Sequence, residues 1–62
     1  MSDLPPGIGR PATRALENAG ITSLDQVAAR TEADLLGLHG VGPKAVRILR
    51  EALAQTGRSL AG

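Results

Sequence analysis

Aliphatic residues recur along the chain at the three- and four-residue spacing of α-helices. Near the amino terminus this stripe comprises Ala12, Ala15, Leu16 and Ala19. The stripe predicts a first helix from about Arg10 to Ala19. Pro11 suits the first turn of a helix, because proline has no N–H group to leave unpaired. Gly20 is placed to end the helix in a left-handed conformation.

The last predicted helix has the longest apolar stripe, which comprises Ala45, Val46, Ile48, Leu49, Ala52 and Leu53. The spacing predicts a helix that begins at Pro43 and stops at Gly57. Beyond Gly57, residues 58–62 are predicted to fray, although Leu60 could instead fold back onto the core.

Two short helices are predicted between these long ones. Ser23 and Gln26 have the spacing of a capping box and predict a helix from about Leu24 to Ala29. Thr31 is a candidate N-cap of the next helix, and Gly37 its end. The buried side of that helix is predicted to consist of Leu35, Leu36 and Leu38. No segment shows the alternation of a strand, so the expected fold class is all-α, a compact four-helix domain.

An internal repeat relates the two ends of the chain. Shifting the sequence by 33 residues aligns Gly7 to Leu16 with Gly40 to Leu49. Ile8 then faces Val41 as a similar pair. The identical pairs are Gly7 and Gly40, Gly9 and Gly42, Ala12 and Ala45, Arg14 and Arg47, and Leu16 and Leu49. The repeat predicts a single domain over residues 1–62, with 1–3 and 58–62 frayed, built from two pseudo-symmetric units around one core.

Each unit has a glycine, an aliphatic residue and a second glycine just before its helix. Glycine permits positive φ and the close approach of a ligand, and the aliphatic residue can pin the hairpin to the core. The N–H groups of the hairpin and of the first helical turn then form an anion site at the positive end of the helix dipole. The candidate DNA-binding residues are Gly7, Ile8, Gly9, Arg10 and Arg14 in the first unit, and Gly40, Val41, Gly42, Lys44 and Arg47 in the second. The alternative is that each hairpin only joins two antiparallel helices.

Composition and charge narrow the class of partner. The chain has no aromatic residue, which removes the stacking of unpaired bases on aromatic rings. The net charge is only +1, but five of the seven basic residues follow a glycine hairpin. The stretch from Ile21 to Leu38 has three carboxylates against Arg30, a net charge of −2. A basic pole and an acidic pole are therefore expected.

The inventory of reactive side chains is small. There is no cysteine, and His39 is the single histidine. No catalytic constellation or metal-ligand set is found, so the protein is expected not to be an enzyme and to need no metal or cofactor. No apolar run approaches the length of a membrane helix, and no targeting segment is found. We expect a cytoplasmic, monomeric protein without a membrane partner.

The segment from Leu38 to Ala45 resembles the hairpin of the helix-hairpin-helix family of DNA-binding modules. The segment from Leu4 to Gly9 is similar to the same motif without its leading helix. The resemblance implies a SAM-like arrangement of two helix-hairpin-helix units. It also implies sequence-independent contact with backbone phosphates beside the minor groove, and a monovalent cation held by hairpin carbonyl groups.

A second resemblance covers most of the chain and points to the C-terminal domain of the bacterial RNA polymerase alpha subunit. The residues that carry it are Arg30-Thr31-Glu32, Leu35-Leu36, Gly42, Lys44, Leu53-Ala54, Gly57 and Ser59-Leu60. It implies minor-groove binding of promoter DNA, with Lys44 as a DNA contact, and contact with transcription activators. The chain departs from that family at three positions, where it has Pro11, Arg14 and Ala45 in place of an arginine, an asparagine and a serine.

The expected function is largely sequence-independent binding of double-stranded DNA in the bacterial nucleoid. The two hairpins and their flanking Arg and Lys residues would contact phosphates at the minor groove. The alternative is a protein–protein adaptor in a transcription or repair complex. Such an adaptor would dock through the hairpins or through the acidic pole around Asp25, Glu32 and Asp34.

Overall fold

The computed structural model describes residues 4–61 and contains four α-helices. They are α1 (Gly9–Asn18), α2 (Leu24–Ala28), α3 (Glu32–Leu36) and α4 (Pro43–Gln55), and a 3-10 turn at Pro6–Ile8 precedes α1. No strand occurs among these residues. The all-α prediction is confirmed, and each helix begins within one residue of the predicted position. Residues 1–3 and 62, which were predicted to fray, lie outside the described residues.

Side chains cap the two short helices. At α3, the Thr31 hydroxyl accepts a hydrogen bond from the Asp34 N–H at 3.0 Å, and the Asp34 carboxylate accepts from the Thr31 N–H at 3.3 Å. This reciprocal pair is a capping box. At α2, Ser23 accepts from the Gln26 N–H, but the Gln26 side chain accepts from the N–H of Thr22 instead of Ser23. The capping box predicted for α2 is therefore wrong in its second hydrogen bond.

The core is aliphatic and draws on all four helices and both glycine segments. Its buried members are Ile8, Ala12, Leu16, Ile21, Val27, Leu35, Val41, Ala45, Val46, Leu49 and Leu53. The prediction that Leu36 is buried is wrong, because this residue is 41% exposed. Successive residues of a helix point about 100° apart, so the short helix α3 buries Leu35 and turns Leu36 outwards. Leu38 is half-buried after the helix has ended.

Both long helices end at the glycines that the sequence predicts. Gly20 has a φ of +81° and Gly57 a φ of +74°. After α1, the Ile21 N–H donates to the Leu16 carbonyl at 2.8 Å, and an equivalent bond spans Gly57 after α4. These hydrogen bonds satisfy carbonyl groups that a helix end otherwise leaves unpaired.

The segment after Gly57 folds back onto the domain. Leu60 packs against the core. The Ala61 N–H donates to the Arg30 carbonyl at 2.9 Å, and Arg58 forms an ion pair with Asp25. The predicted alternative, in which Leu60 packs onto the core, is therefore the one that the structure shows, and residues 58–61 are not frayed.

The two halves of the repeat pack on each other reciprocally. A Cβ atom placed on Gly40 would lie 3.4 Å from the Ala15 side chain, and one placed on Gly7 would lie 3.7 Å from the Ile48 side chain. Gly7 and Gly40 are repeat partners, and so are Ala15 and Ile48. The turn of each half therefore rests on the helix of the other half, as the predicted pseudo-symmetry requires.

Candidate nucleic-acid interface

The second glycine segment forms a hairpin between α3 and α4. The Val41 N–H donates to the Leu38 carbonyl at 3.1 Å, and Gly40 between them has a φ of +100°. The Val41 side chain is buried in the core, so it pins the hairpin as predicted. Pro43 then begins α4 at the end of the hairpin.

The glycine requirement in this hairpin lies at Gly40 and not at Gly42. Gly42 has an extended backbone with a φ of −109° and a ψ of 179°, which any residue adopts. A proline favours an extended conformation in the residue before it, and Pro43 follows Gly42. A Cβ atom on Gly42 would meet no heavy atom within 4 Å. The expectation that the hairpin glycines take positive φ therefore holds for Gly40 and is wrong for Gly42.

The start of α4 leaves backbone donors without acceptors. The first N–H that bonds into the helix is that of Val46, which donates to the Gly42 carbonyl at 3.1 Å. No residue in the described range accepts a hydrogen bond from the N–H groups of Lys44 and Ala45. These donors lie at the positive end of the helix dipole, which favours an anion. Ala45 was not among the predicted contacts, although its position just after Pro43 in the first turn was a usable signal.

The first glycine segment has a different conformation. Its residues Pro6–Ile8 form a 3-10 turn that runs directly into α1. The positive φ falls on the second glycine, Gly9, whereas in the second unit it falls on the first glycine, Gly40. The Gly9 N–H donates to the Pro6 carbonyl and is not available to a ligand. The first of the two predicted hairpins is therefore a helical turn, because the proline-rich segment continues into α1 instead of reversing.

Exposed basic side chains surround these two helix starts. Arg10 and Arg14 are one turn apart on α1, and together with Pro11 they line a shallow depression. Lys44 and Arg47 are exposed on the first turns of α4. Among the described residues, none of these four cations has an ion-pair partner.

The second hairpin packs against the start of α1. A Cβ atom on Gly40 would lie 2.9 Å from the carbonyl oxygen of Pro11. Pro11 stands between Arg10 and Arg14 in α1, so the second hairpin adjoins the basic turn of the first helix. The structure thus places Gly40 of the second unit against the first turn of α1.

A comparison with protein families bears on this geometry. The family model of the SAM-like helix-hairpin-helix tandem matches residues 6–56. The chain belongs to this family. The match spans both halves of the tandem, from the turn before α1 to the residue after α4. No curated protein and no solved structure gives a significant match. The resemblance to the RNA polymerase alpha subunit stays a prediction.

The three carboxylates of the predicted acidic pole have partners inside the domain. Glu32 pairs with Arg50 at 3.4 Å, and Asp25 pairs with Arg58. Asp34 is used in the capping box of α3. The predicted separation into a basic and an acidic pole is therefore incomplete, because Arg50 adjoins the acidic helix α3.

The described part of the tandem has no group of three or more His, Cys, Asp or Glu side chains placed to hold a metal ion. His39 is exposed in the turn before Gly40. None of the helices there is both long and apolar enough to span a bilayer.

Proposed function

We propose that this domain binds double-stranded DNA through its backbone phosphates. The observation that carries the proposal is the start of α4, where the unpaired N–H groups of Lys44 and Ala45 stand beside the unpaired cations Lys44 and Arg47. Family membership supports the proposal, because helix-hairpin-helix domains generally bind nucleic acids. Backbone donors and flexible cations recognise phosphate groups without reading bases, so sequence preference is expected to be weak.

A duplex is favoured over a single strand. Proteins that bind single strands rely on aromatic rings on which unpaired bases stack, and this chain has none. The pseudo-symmetric halves present two basic helix starts, which suits the two phosphate strands that flank a groove. The family resemblance points to the minor groove.

The two halves contact phosphate with different groups in this proposal. The second half combines backbone donors, the dipole of α4 and the side chains of Lys44 and Arg47. The first half depends on the guanidinium groups of Arg10 and Arg14, because the Gly9 N–H is already bonded and Pro11 has no N–H. A guanidinium group binds phosphate well, since its fork of donors matches two phosphate oxygens.

The acidic alternative is less favoured by the geometry. An adaptor that docks through Asp25, Glu32 and Asp34 would compete with two exposed ion pairs and with the capping box of α3. The four cations of the DNA proposal have no such competing partners among the described residues.

The proposal is tested by fluorescence anisotropy with a labelled duplex at several salt concentrations. Three to five phosphate contacts predict a slope of roughly −3 to −4.5 in a plot of log affinity against log salt. Two duplexes of unrelated sequence are expected to bind within about threefold of each other, and a single strand more weakly. The absence of any duplex binding at low salt would contradict the proposal.

A further inference from the structure

A cleft of about 430 Å³ lies between the carboxyl-terminal half of α4 and the tail that follows it. We call it the arginine cleft. Its charged lining is Arg47, Arg50, Glu51 and Arg58, and its apolar lining is Ala54 and Leu60. Of these residues, only Arg47 belongs to the proposed DNA contact. The cleft is therefore a separate surface that shares one residue with that contact.

The charges in the arginine cleft favour a carboxylate ligand. Three arginines and one glutamate line the cleft. Arg50 already pairs with the carboxylate of Glu32, whose side chain is 52% exposed, and Arg58 with that of Asp25, which is 84% exposed. Exposed pairs of this kind are weak and exchange readily. Each guanidinium group has five N–H donors, so donors remain for a second carboxylate.

Aliphatic surface lies on both sides of the Arg47 and Arg50 pair. Leu60 lies on the side of the tail. On the other side, Arg47 and Arg50 also line a smaller depression, together with Glu32, Leu36, Pro43 and Val46. Leu36 is the one large hydrophobic residue that is exposed in the described part of the chain. Burial of such a side chain by a partner would be favourable, at roughly 25 cal/mol per Å² of apolar surface.

We propose that the arginine cleft and the Leu36 depression together bind an acidic segment of a partner protein. Carboxylates of the segment would pair with Arg47 and Arg50, and its aliphatic side chains would cover Leu36 and Leu60. A phosphate backbone gains nothing from these aliphatic positions. The inference goes beyond DNA binding and stands without it. Because Arg47 serves both ligands, the segment and a duplex would compete.

The test is an NMR titration of the full, isotope-labelled chain with a short, capped peptide in which leucine and glutamate alternate. We expect amide shifts at Arg47, Arg50, Ser59 and Leu60. A control peptide with glutamine in place of glutamate is expected to cause none. Arg50→Gln is expected to weaken peptide binding about fivefold, the effect of losing one exposed ion pair. Leu36→Gln is expected to weaken peptide binding by a similar factor.

The matched control is Arg14→Gln, which removes the same charge at the repeat partner of Arg47. It is expected to leave peptide binding within twofold of wild type. Arg50→Gln is expected to leave duplex binding within twofold, which separates this inference from the proposed DNA contact. The inference is overturned if the peptide causes no amide shifts at millimolar concentration, or if Arg14→Gln and Arg50→Gln weaken peptide binding equally. It is also overturned if a duplex, and not the peptide, shifts the amides of the cleft.

Discussion

The α-carbon of Gly40 packs so closely under the carbonyl oxygen of Pro11 that a Cβ atom there would lie only 2.9 Å from that oxygen. Backbone from the second hairpin thus meets backbone at the start of α1. Because neither atom belongs to a flexible side chain, neither can rotate away. This contact joins the two halves of the tandem beside Arg10 and Arg14.

Gly40→Ala is expected to destabilise the domain by roughly 2–4 kcal/mol. Part of this loss is the cost of a non-glycine residue at a φ of +100°, and part is the overlap with Pro11. Urea denaturation followed by circular dichroism measures it. Gly42→Ala is the matched control, and its effect is expected to stay below about 1 kcal/mol, because the lower entropy of the unfolded chain offsets a poorer N-cap. Equal losses at the two glycines would contradict the assignment of the strained position.

Lys44→Ala is expected to weaken duplex binding roughly tenfold at low salt. The substitution removes one cation from the start of α4 without touching the core, since Lys44 is exposed. The salt slope is expected to become shallower by about one, which is the signature of one lost phosphate contact. Arg30→Gln, an exposed basic residue after α2, is the control. If both variants changed the affinity equally, net charge alone would account for binding.

Joint replacement of Arg10 and Arg14 by alanine is expected to cost more affinity than joint replacement of Lys44 and Arg47. In the first half, the backbone N–H of Gly9 is not free to bind phosphate, because it is bonded to the Pro6 carbonyl. The second half retains the backbone N–H groups and the dipole of α4 after its cations are removed. Anisotropy titrations of the two double variants, at one low salt concentration, make the comparison. The opposite order would show that the α1 cations are not the main contact of the first half.

Thr31→Ala is expected to lower the free energy of unfolding by about 1 kcal/mol, the typical effect of losing an N-cap. The hydroxyl accepts from the Asp34 N–H at 3.0 Å, and no other group at that helix start replaces it. Thermal unfolding followed by circular dichroism measures the change. Thr31→Ser keeps the hydroxyl and is expected to stay close to wild type. A full loss in the serine variant would indicate that the methyl group, and not the cap, stabilises α3.

Much of the fold could be predicted from the chain alone, because helix periodicity and helix ends are local properties. The stripe around Leu16 and Leu49, the starts at Pro11 and Pro43 and the stops at Gly20 and Gly57 all depend on residues within one or two turns. The 33-residue repeat also predicted that the two halves pack together, because the same apolar pattern in each half buries the same helix face in one core. The candidate cations were found in the same way, as residues that follow a helix start.

Tertiary contacts decided the features that local pattern leaves open. The two glycine segments contain four glycines that look alike in the sequence. Only packing distinguishes Gly40, which lies under the Pro11 carbonyl, from Gly42, which has open space around it. Leu35 and Leu36 are chemically alike, and only Leu35 is buried in the core. Arg58 forms an ion pair with Asp25, which is 33 residues away in the sequence, and no local pattern predicts this pair. The sequence by itself determined where helices form and which residues are charged. The tertiary structure determined which glycine is strained and which cations are paired, because their partners are distant in the chain.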